Sequence, residues 1–218
     1  MRIPLVRGGS TEHIDLVPSK IIGIGLNYRA HAVEMGKGLP EEPLMFLKPR
    51  SAMIADGDAI ERPSGFARVD YEAELGVVIG QRARRIDREQ ALEVVLGYVV
   101  VNDVTVRDLQ KRDVQYTRAK GFDTFCPIGP RIVAGLDPSN LAIRARLNGA
   151  TKQDSTTSDL IFDVPTLISF CSMYMTLEPG DVISTGTPSG VGNMTPGDVV
   201  EVEIEGIGVL RNTVIARS

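Results

Sequence analysis

The chain has 218 residues, 43% hydrophobic and 24% charged, which is enough apolar side chain for a packed core and too much for a disordered segment. Its net charge of −4 lacks the clustered basic surface of a nucleic-acid binder, and no run of about 18 apolar residues offers a membrane span. Met1–Asp15 has no long apolar stretch of a secretory leader, and the two cysteines, Cys126 and Cys171, lack both disulfide numbers and metal-ligand spacing, so the expected setting is the reducing cytoplasm.

The 22 glycines and 13 prolines are spread along the chain, as expected of many turns between short strands. The reading is therefore mainly β with a few short helices (α+β), without internal repeat or linker, in one domain over 1–218. Strands are predicted at Arg2–Val6, Ile14–Val17 and Lys20–Gly25, with Gly8-Gly9 as the first turn. Asn27 is a suitable N-cap for a short helix through Met35, closed by Gly36. On that helix His31 and Glu34 stand three residues apart and meet. A carboxylate beside an imidazole orients it and raises its basicity, as a general base towards water requires; a solvent-facing pair is the plainer alternative. Leu39–Gly65 is rich in proline and glycine and reads as loop around one edge strand, Leu44–Leu47, followed by Lys48-Pro49.

In Asp70–Gly80 strict alternation sets Tyr71, Ala73, Leu75, Val77 and Ile79 on one strand face and Asp70, Glu72 and Glu74 on the other. Carboxylates at i and i+2 start about 7 Å apart at Cα, a span one hard divalent cation can close. The alternative is a solvated acidic face. After the basic turn Arg82–Arg88, Asp87 caps a short helix, Arg88–Val94. The apolar run Val95–Asn102 then fills a buried strand and ends on Asp103. Asp103 can cap the following helix, Val104–Lys111, but Thr105 and Asp108 have capping-box spacing for the same helix; if Thr105 does the capping, Asp103 is left over as a third ligand beside Glu72 and Glu74. Arg107 and Gln110 share one face of that helix.

Lys120–Pro130 carries too much glycine and proline for a regular element, and Lys120 itself reads equally as a surface charge. Asn148-Gly149 is the turn of a hairpin between Ala142–Leu147 and Ala150–Asp154. Val164–Tyr174 has helical periodicity, with Cys171 as a small buried hydrophobe. The strand Val182–Thr185 runs into Gly186-Thr187-Pro188-Ser189-Gly190-Val191-Gly192, which is neither a P-loop nor a dinucleotide fingerprint; its backbone amides and the Thr187 hydroxyl can approach an anion, or it is a plain turn. A final hairpin, Val199–Ile204 and Val209–Ala216, follows the turn at Pro196-Gly197-Asp198.

Six of these pieces, in this order, resemble the fumarylacetoacetate hydrolase family in its single-domain branch: Gly25–Gly36, Phe46–Pro49, Asp70–Gly80, Asn102–Asp108, Lys120–Asp123 and Thr185–Gly192, within a span of 21–204. The resemblance implies a mixed β-sandwich roll of the type specific to that family, a homodimer, and a site for Mg²⁺ or Mn²⁺. Carried over position by position, it implies Glu72, Glu74 and Asp103 as metal ligands and His31 with Glu34 as the pair that activates water. Lys120 joins this catalytic group, and Arg107, Gln110, Thr187 and Tyr28 fall at substrate-binding positions. One departure stands out: acylpyruvate-cleaving members are expected to carry arginine where this chain has Leu26. The segment after Gly192, Asn193–Pro196, is also short, which trims a loop beside the pocket.

The activity so implied is metal-dependent cleavage of a C–C bond in a 2-oxo acid, by hydrolysis of an acylpyruvate or fumarylacetoacetate-like substrate or by decarboxylation of oxaloacetate, through a metal-stabilised enolate. One alternative is isomerisation or decarboxylation of acids of the 2-hydroxyhepta-2,4-diene-1,7-dioate type in aromatic catabolism. Another, of a different class, is a non-catalytic β domain with a structural cation.

Overall fold

A computed structural model describes residues 1–36 and 38–217. Strands dominate, and their pairing is mixed. In spatial order the largest sheet runs Ser10–Asp15, Arg2–Arg7, Cys126–Val133, Val95–Asn102, Ala73–Ile79, Val182–Ser184, Ile21–Gly25 and Leu44–Lys48, with Met53–Ile54 beside Cys126–Val133. Arg2–Arg7 pairs parallel with Cys126–Val133, and Val182–Ser184 parallel with Ile21–Gly25. A five-stranded sheet is ordered Ala150–Thr156, Ala142–Leu147, Val199–Ile204, Gly208–Ala216 and Ala59–Arg62. Three short strands, Thr105–Val106, Val69–Tyr71 and Gly192–Asn193, form a small third sheet. Four α-helices among the described residues complete the frame: α1 (Arg29–Glu34), α2 (Arg107–Arg112), α3 (Thr117–Lys120) and α4 (Val164–Tyr174).

The main core lies between the two larger sheets, where Leu75, Val77, Ile79 and Val100 meet Ile143, Val200, Val202 and Leu210. Leu167, Ile168 and Cys171 of α4 close it at one end. The other face of the large sheet has its own apolar cluster, including Ile3, Leu5, Val78, Val99, Val101 and Ile128. With apolar cover on both faces, the central strands read as nearly continuous hydrophobic runs. Gly76 is needed there, because a Cβ on it would come 2.6 Å from Cγ2 of Val101.

Several expectations change. The second strand is Ser10–Asp15 rather than Ile14–Val17, because the Gly8-Gly9 turn, both residues at positive φ, sets Arg7 opposite Ser10 and fixes the register from the start. Asn27 does not cap α1: its buried amide accepts from Phe162 N and donates to the carbonyls of Phe162 and Thr185, while Asp159 takes the Ala30 N–H of the first turn. The Asp70–Gly80 strand breaks at Glu72 into Val69–Tyr71 and Ala73–Ile79, and its acidic face is buried rather than solvated. Thr105 is no helix cap either; Thr105 and Val106 pair with Asp70 and Val69, so α2 begins only at Arg107. Arg88–Val94 is 3₁₀ and receives no side-chain cap from Asp87. The Pro-rich Cys126–Val133 is a strand inside the large sheet, with its pairing register shifting between Gly129 and Val133 where Pro130 interrupts the ladder. Ala59–Arg62, inside the expected loop, pairs parallel with Gly208–Ala216.

Candidate active site

Glu72, Glu74 and Asp103 are brought together by the large sheet. Glu74 lies early in Ala73–Ile79, Asp103 follows the end of the neighbouring Val95–Asn102, and Glu72 sits at the break before Ala73, where its N–H donates to Asn102 Oδ1 at 2.9 Å and its carbonyl accepts from Asp103 N at 3.0 Å. All three side chains are buried, with one oxygen from each within 4.8 Å of the others.

Buried charge has to be compensated. Lys120 Nζ donates to Glu72 at 2.8 Å, to Asp103 at 2.5 Å and to the Thr105 hydroxyl at 2.8 Å. Lys48 Nζ reaches Asp103 Oδ1 and the Lys120 carbonyl, both at 2.5 Å. Arg107 forms a three-way fork to Asp70 (2.8 Å), Glu72 (2.5 Å) and Gln110 Oε1 (2.8 Å). Burial works against the Glu72 charge, but Lys120 and Arg107 outweigh it and bring its pKa down to about 2. Glu74 is different: it accepts from the Ser184 hydroxyl (2.5 Å) and Gly186 N–H (2.9 Å) and has no cationic partner among the described residues. Burial, then the Asp103 and Glu72 charges, push its pKa well up. A buried carboxylate lacking a cation, beside two others, is a hard-oxygen donor set that fits Mg²⁺ or Mn²⁺.

His31 Nδ1 and Glu34 Oε2 are 2.9 Å apart. Glu34 is fixed in turn by the Gly190 N–H (3.0 Å), and Gly190, at positive φ, has no room for a Cβ, which would meet the Lys152 carbonyl at 2.1 Å. With Nδ1 donating to Glu34, Nε2 keeps its lone pair. Thr187 is set by Gln153, a fully buried side chain that accepts from Ala73 N at 3.0 Å and donates to the Thr187 hydroxyl and Pro188 carbonyl, both at 2.8 Å. Ala73 lies between Glu72 and Glu74, so one amide joins the acidic strand to the Thr187 loop.

A cavity of about 380 Å³ is lined by His31, Glu72, Glu74, Arg107, Gln110, Lys120 and Thr187. Its outer wall is Leu26, Met35, Leu44 and Tyr116, with Leu26 held at φ 52°. Asp103 lies beneath the floor and Glu34 stands behind His31 rather than in the lining. Tyr28, expected at a substrate-binding position, is fully buried in the main core and outside the lining, and its hydroxyl has no hydrogen-bond partner among the described residues. Sequence reading gave no role to Lys48, Gln153 or Ser184. The alternation of Leu44–Lys48 aims Phe46 and Lys48 inward, the one signal that marked Lys48.

Comparisons with known proteins supply a family and relatives. The family model described as fumarylacetoacetate (FAA) hydrolase C-terminal matches residues 20–215. The chain is 45% identical over 211 residues to an oxaloacetate tautomerase of Bacillus subtilis, covering 90% of this chain and 70% of that protein. It superposes with a TM-score of 0.88 at 42% identity on 2-hydroxyhepta-2,4-diene-1,7-dioate isomerase of Mycobacterium marinum, covering 95% of this chain and 79% of the other. With fumarylpyruvate hydrolase of Pseudomonas aeruginosa, solved with Mn²⁺ and pyruvate, the TM-score is 0.89 at 33% identity, over 99% and 97% of the two chains. The chain belongs to the fumarylacetoacetate hydrolase family.

Proposed function

We propose that this chain is a Mg²⁺- or Mn²⁺-dependent enzyme that cleaves a C–C bond in a 2-oxo acid, hydrolysing an acylpyruvate or fumarylacetoacetate-like 2,4-dioxo acid or decarboxylating oxaloacetate. The observation that carries the reading is that His31, braced by Glu34, and the carboxylates of Glu72 and Glu74 line one cavity. The relatives named above act on, or were solved with, small oxo or hydroxy acids. The proposal treats 1–218 as one catalytic domain, working as a homodimer in the cytoplasm; the family resemblance and two buried free thiols support this part.

Glu72, Glu74 and Asp103 would hold the cation, which would supply Lewis-acid chemistry to the bound oxo acid. The protein does the rest. Arg107, already oriented by Asp70 and Gln110, and Lys120 supply positive charge for anionic oxygens. The Thr187 oxygen accepts from Gln153, so its own proton is left to donate into the cavity. His31 Nε2 takes a proton from water, which adds to the C4 carbonyl; the C3–C4 bond breaks with its electron pair left on the pyruvate side, and the proton is returned there. Decarboxylation of oxaloacetate yields the same enolate without an attacking water.

A second reading, isomerisation of a 2-hydroxyhepta-2,4-diene-1,7-dioate type acid, is favoured by the similarity to the Mycobacterium marinum isomerase. The test is a panel of acetylpyruvate, fumarylpyruvate, oxaloacetate and the dienedioate, assayed with Mg²⁺, with Mn²⁺ and with chelator. Cation-dependent C–C cleavage of a dioxo acid or oxaloacetate is expected. Isomerisation alone selects the second reading, and no turnover anywhere leaves a non-catalytic cation-binding domain.

A further inference from the structure

Besides Tyr116, six ionisable side chains line the cavity, and five of them have an ionic or hydrogen-bonding partner already assigned. His31 is on Glu34, Glu72 on Lys120 and Arg107, Arg107 on Asp70 and Glu72, Lys120 on Glu72 and Asp103, and Glu74 on Ser184 and Gly186. The sixth is Lys111. It is exposed and makes no ion pair among the described residues. The cavity is therefore cationic at two levels. Arg107 and Lys120 are engaged at the acidic floor, and Lys111 stands free at the rim.

The spacing follows from α2. Arg107 and Lys111 are at i and i+4 on this helix, hence on the same face and about 6 Å apart along the axis. Gln110, also in the lining, is tied to Arg107, which fixes the helix face that meets the cavity. The lining also includes Leu26, Met35, Leu44 and Tyr116, which offer apolar surface to a carbon chain and no carboxylate to neutralise a lysine. A substrate whose 2-oxo acid end sits on the floor thus meets apolar wall along its length and an unpaired ammonium at its outer end.

We propose that Lys111 reads a second anionic group, a carboxylate at the far end of the substrate, so that this enzyme prefers 2-oxo diacids of about one helical turn in length over 2-oxo acids with a neutral tail. This rests on the reading of the cavity as a 2-oxo acid site. It makes Lys111 a specificity-determining residue: it touches the end of the substrate remote from the bonds that change.

The test uses calorimetric titration of the full-length, Mg²⁺-loaded protein with three ligands. Oxalate occupies the floor only. 2-Oxohexanoate and 2-oxoadipate share a chain length and differ in whether the far end is methyl or carboxylate. The wild type is expected to bind 2-oxoadipate about three- to tenfold more tightly than 2-oxohexanoate, the worth of a partly solvated ion pair, with the ratio shrinking as salt is added. Lys111→Ala should bring the ratio close to one and Lys111→Glu below one, with oxalate and 2-oxohexanoate affinities unchanged in both. Lys111 is on the surface, so unaltered oxalate binding also reports an intact site. If oxalate binds but the ratio is the same in wild type and both variants, the Lys111 assignment is overturned. If oxalate does not bind the loaded wild type, the 2-oxo acid reading falls, and the assignment with it.

Discussion

Replacing His31 with alanine separates the two reactions assigned to one site. His31 is the imidazole of the cavity lining, and its Nδ1 lies 2.9 Å from Glu34 Oε2, which leaves the Nε2 side of the ring for water. General-base assistance is typically worth about 10² to 10⁴ in rate, or about 3 to 5 kcal/mol of barrier. The pair contributes far less to folding. The Glu34 side chain is 39% exposed, and a hydrogen bond this open is worth about 1 kcal/mol. His31→Ala should therefore fold, bind cation normally and lose hydrolysis of a 2,4-dioxo acid by about a hundredfold or more in kcat, with KM little changed. Oxaloacetate decarboxylation, which uses no attacking water, should keep most of its rate. Steady-state kinetics on both substrates with one preparation gives the ratio directly. Equal losses on the two substrates, or none on either, would refute the role given to His31.

Other substitutions test what holds the site. Gln153→Leu removes the amide between Ala73 and Thr187, leaving the buried Ala73 N–H unpaired; it should raise KM for the dioxo acid while oxalate-independent Mg²⁺ affinity changes little, and an unchanged KM would detach Thr187 from substrate. Gly76→Ala forces a methyl to within 2.6 Å of Val101 Cγ2 and 2.7 Å of Val99 Cγ1, side chains with little χ1 freedom, and should cost about 1 to 3 kcal/mol in denaturant unfolding. Asp181 is buried. Burial disfavours its charge, but the Glu178 N–H, Lys20 and Ser19 outweigh this and hold its pKa below the usual carboxylate range. Because the folded value is depressed, the stability it contributes is full above the unfolded value of about 3.9 and is lost as pH falls through the folded one. Asp181→Asn should thus destabilise at pH 7 by about 1.5 to 3 kcal/mol, with the gap to wild type closing below about pH 4; a gap that widens on acidification would reverse the assignment.

Much of this was legible where a local pattern coincided with the tertiary role. The helix over Val164–Tyr174 appears with the expected ends, because its apolar spacing, Asp163 cap and early Pro165 all agree. The Asn148-Gly149 hairpin forms for the same reason, both residues taking positive φ. The alternation of Asp70–Gly80 placed Glu72 and Glu74 together, but it could not tell a solvated acidic face from a buried one. That difference is made by Lys48, Lys120 and Arg107, which arrive from distant parts of the chain. Thr105 shows the opposite failure: its capping-box spacing was sound, but pairing with Asp70 and the hydrogen bond from Lys120 override it. Gln153 carries no local signal, since a glutamine in a strand gains meaning only from the loop that packs over it.

The most direct measurement is calorimetric titration of cation-free protein with Mg²⁺ and with Mn²⁺, in wild type and Glu74→Gln, each followed by oxalate as a mimic of the pyruvate enolate. The account predicts one cation per chain in the wild type, markedly weaker binding in the variant, and oxalate binding only when cation is present. Unchanged cation affinity in Glu74→Gln, or oxalate binding that ignores the cation, would contradict it.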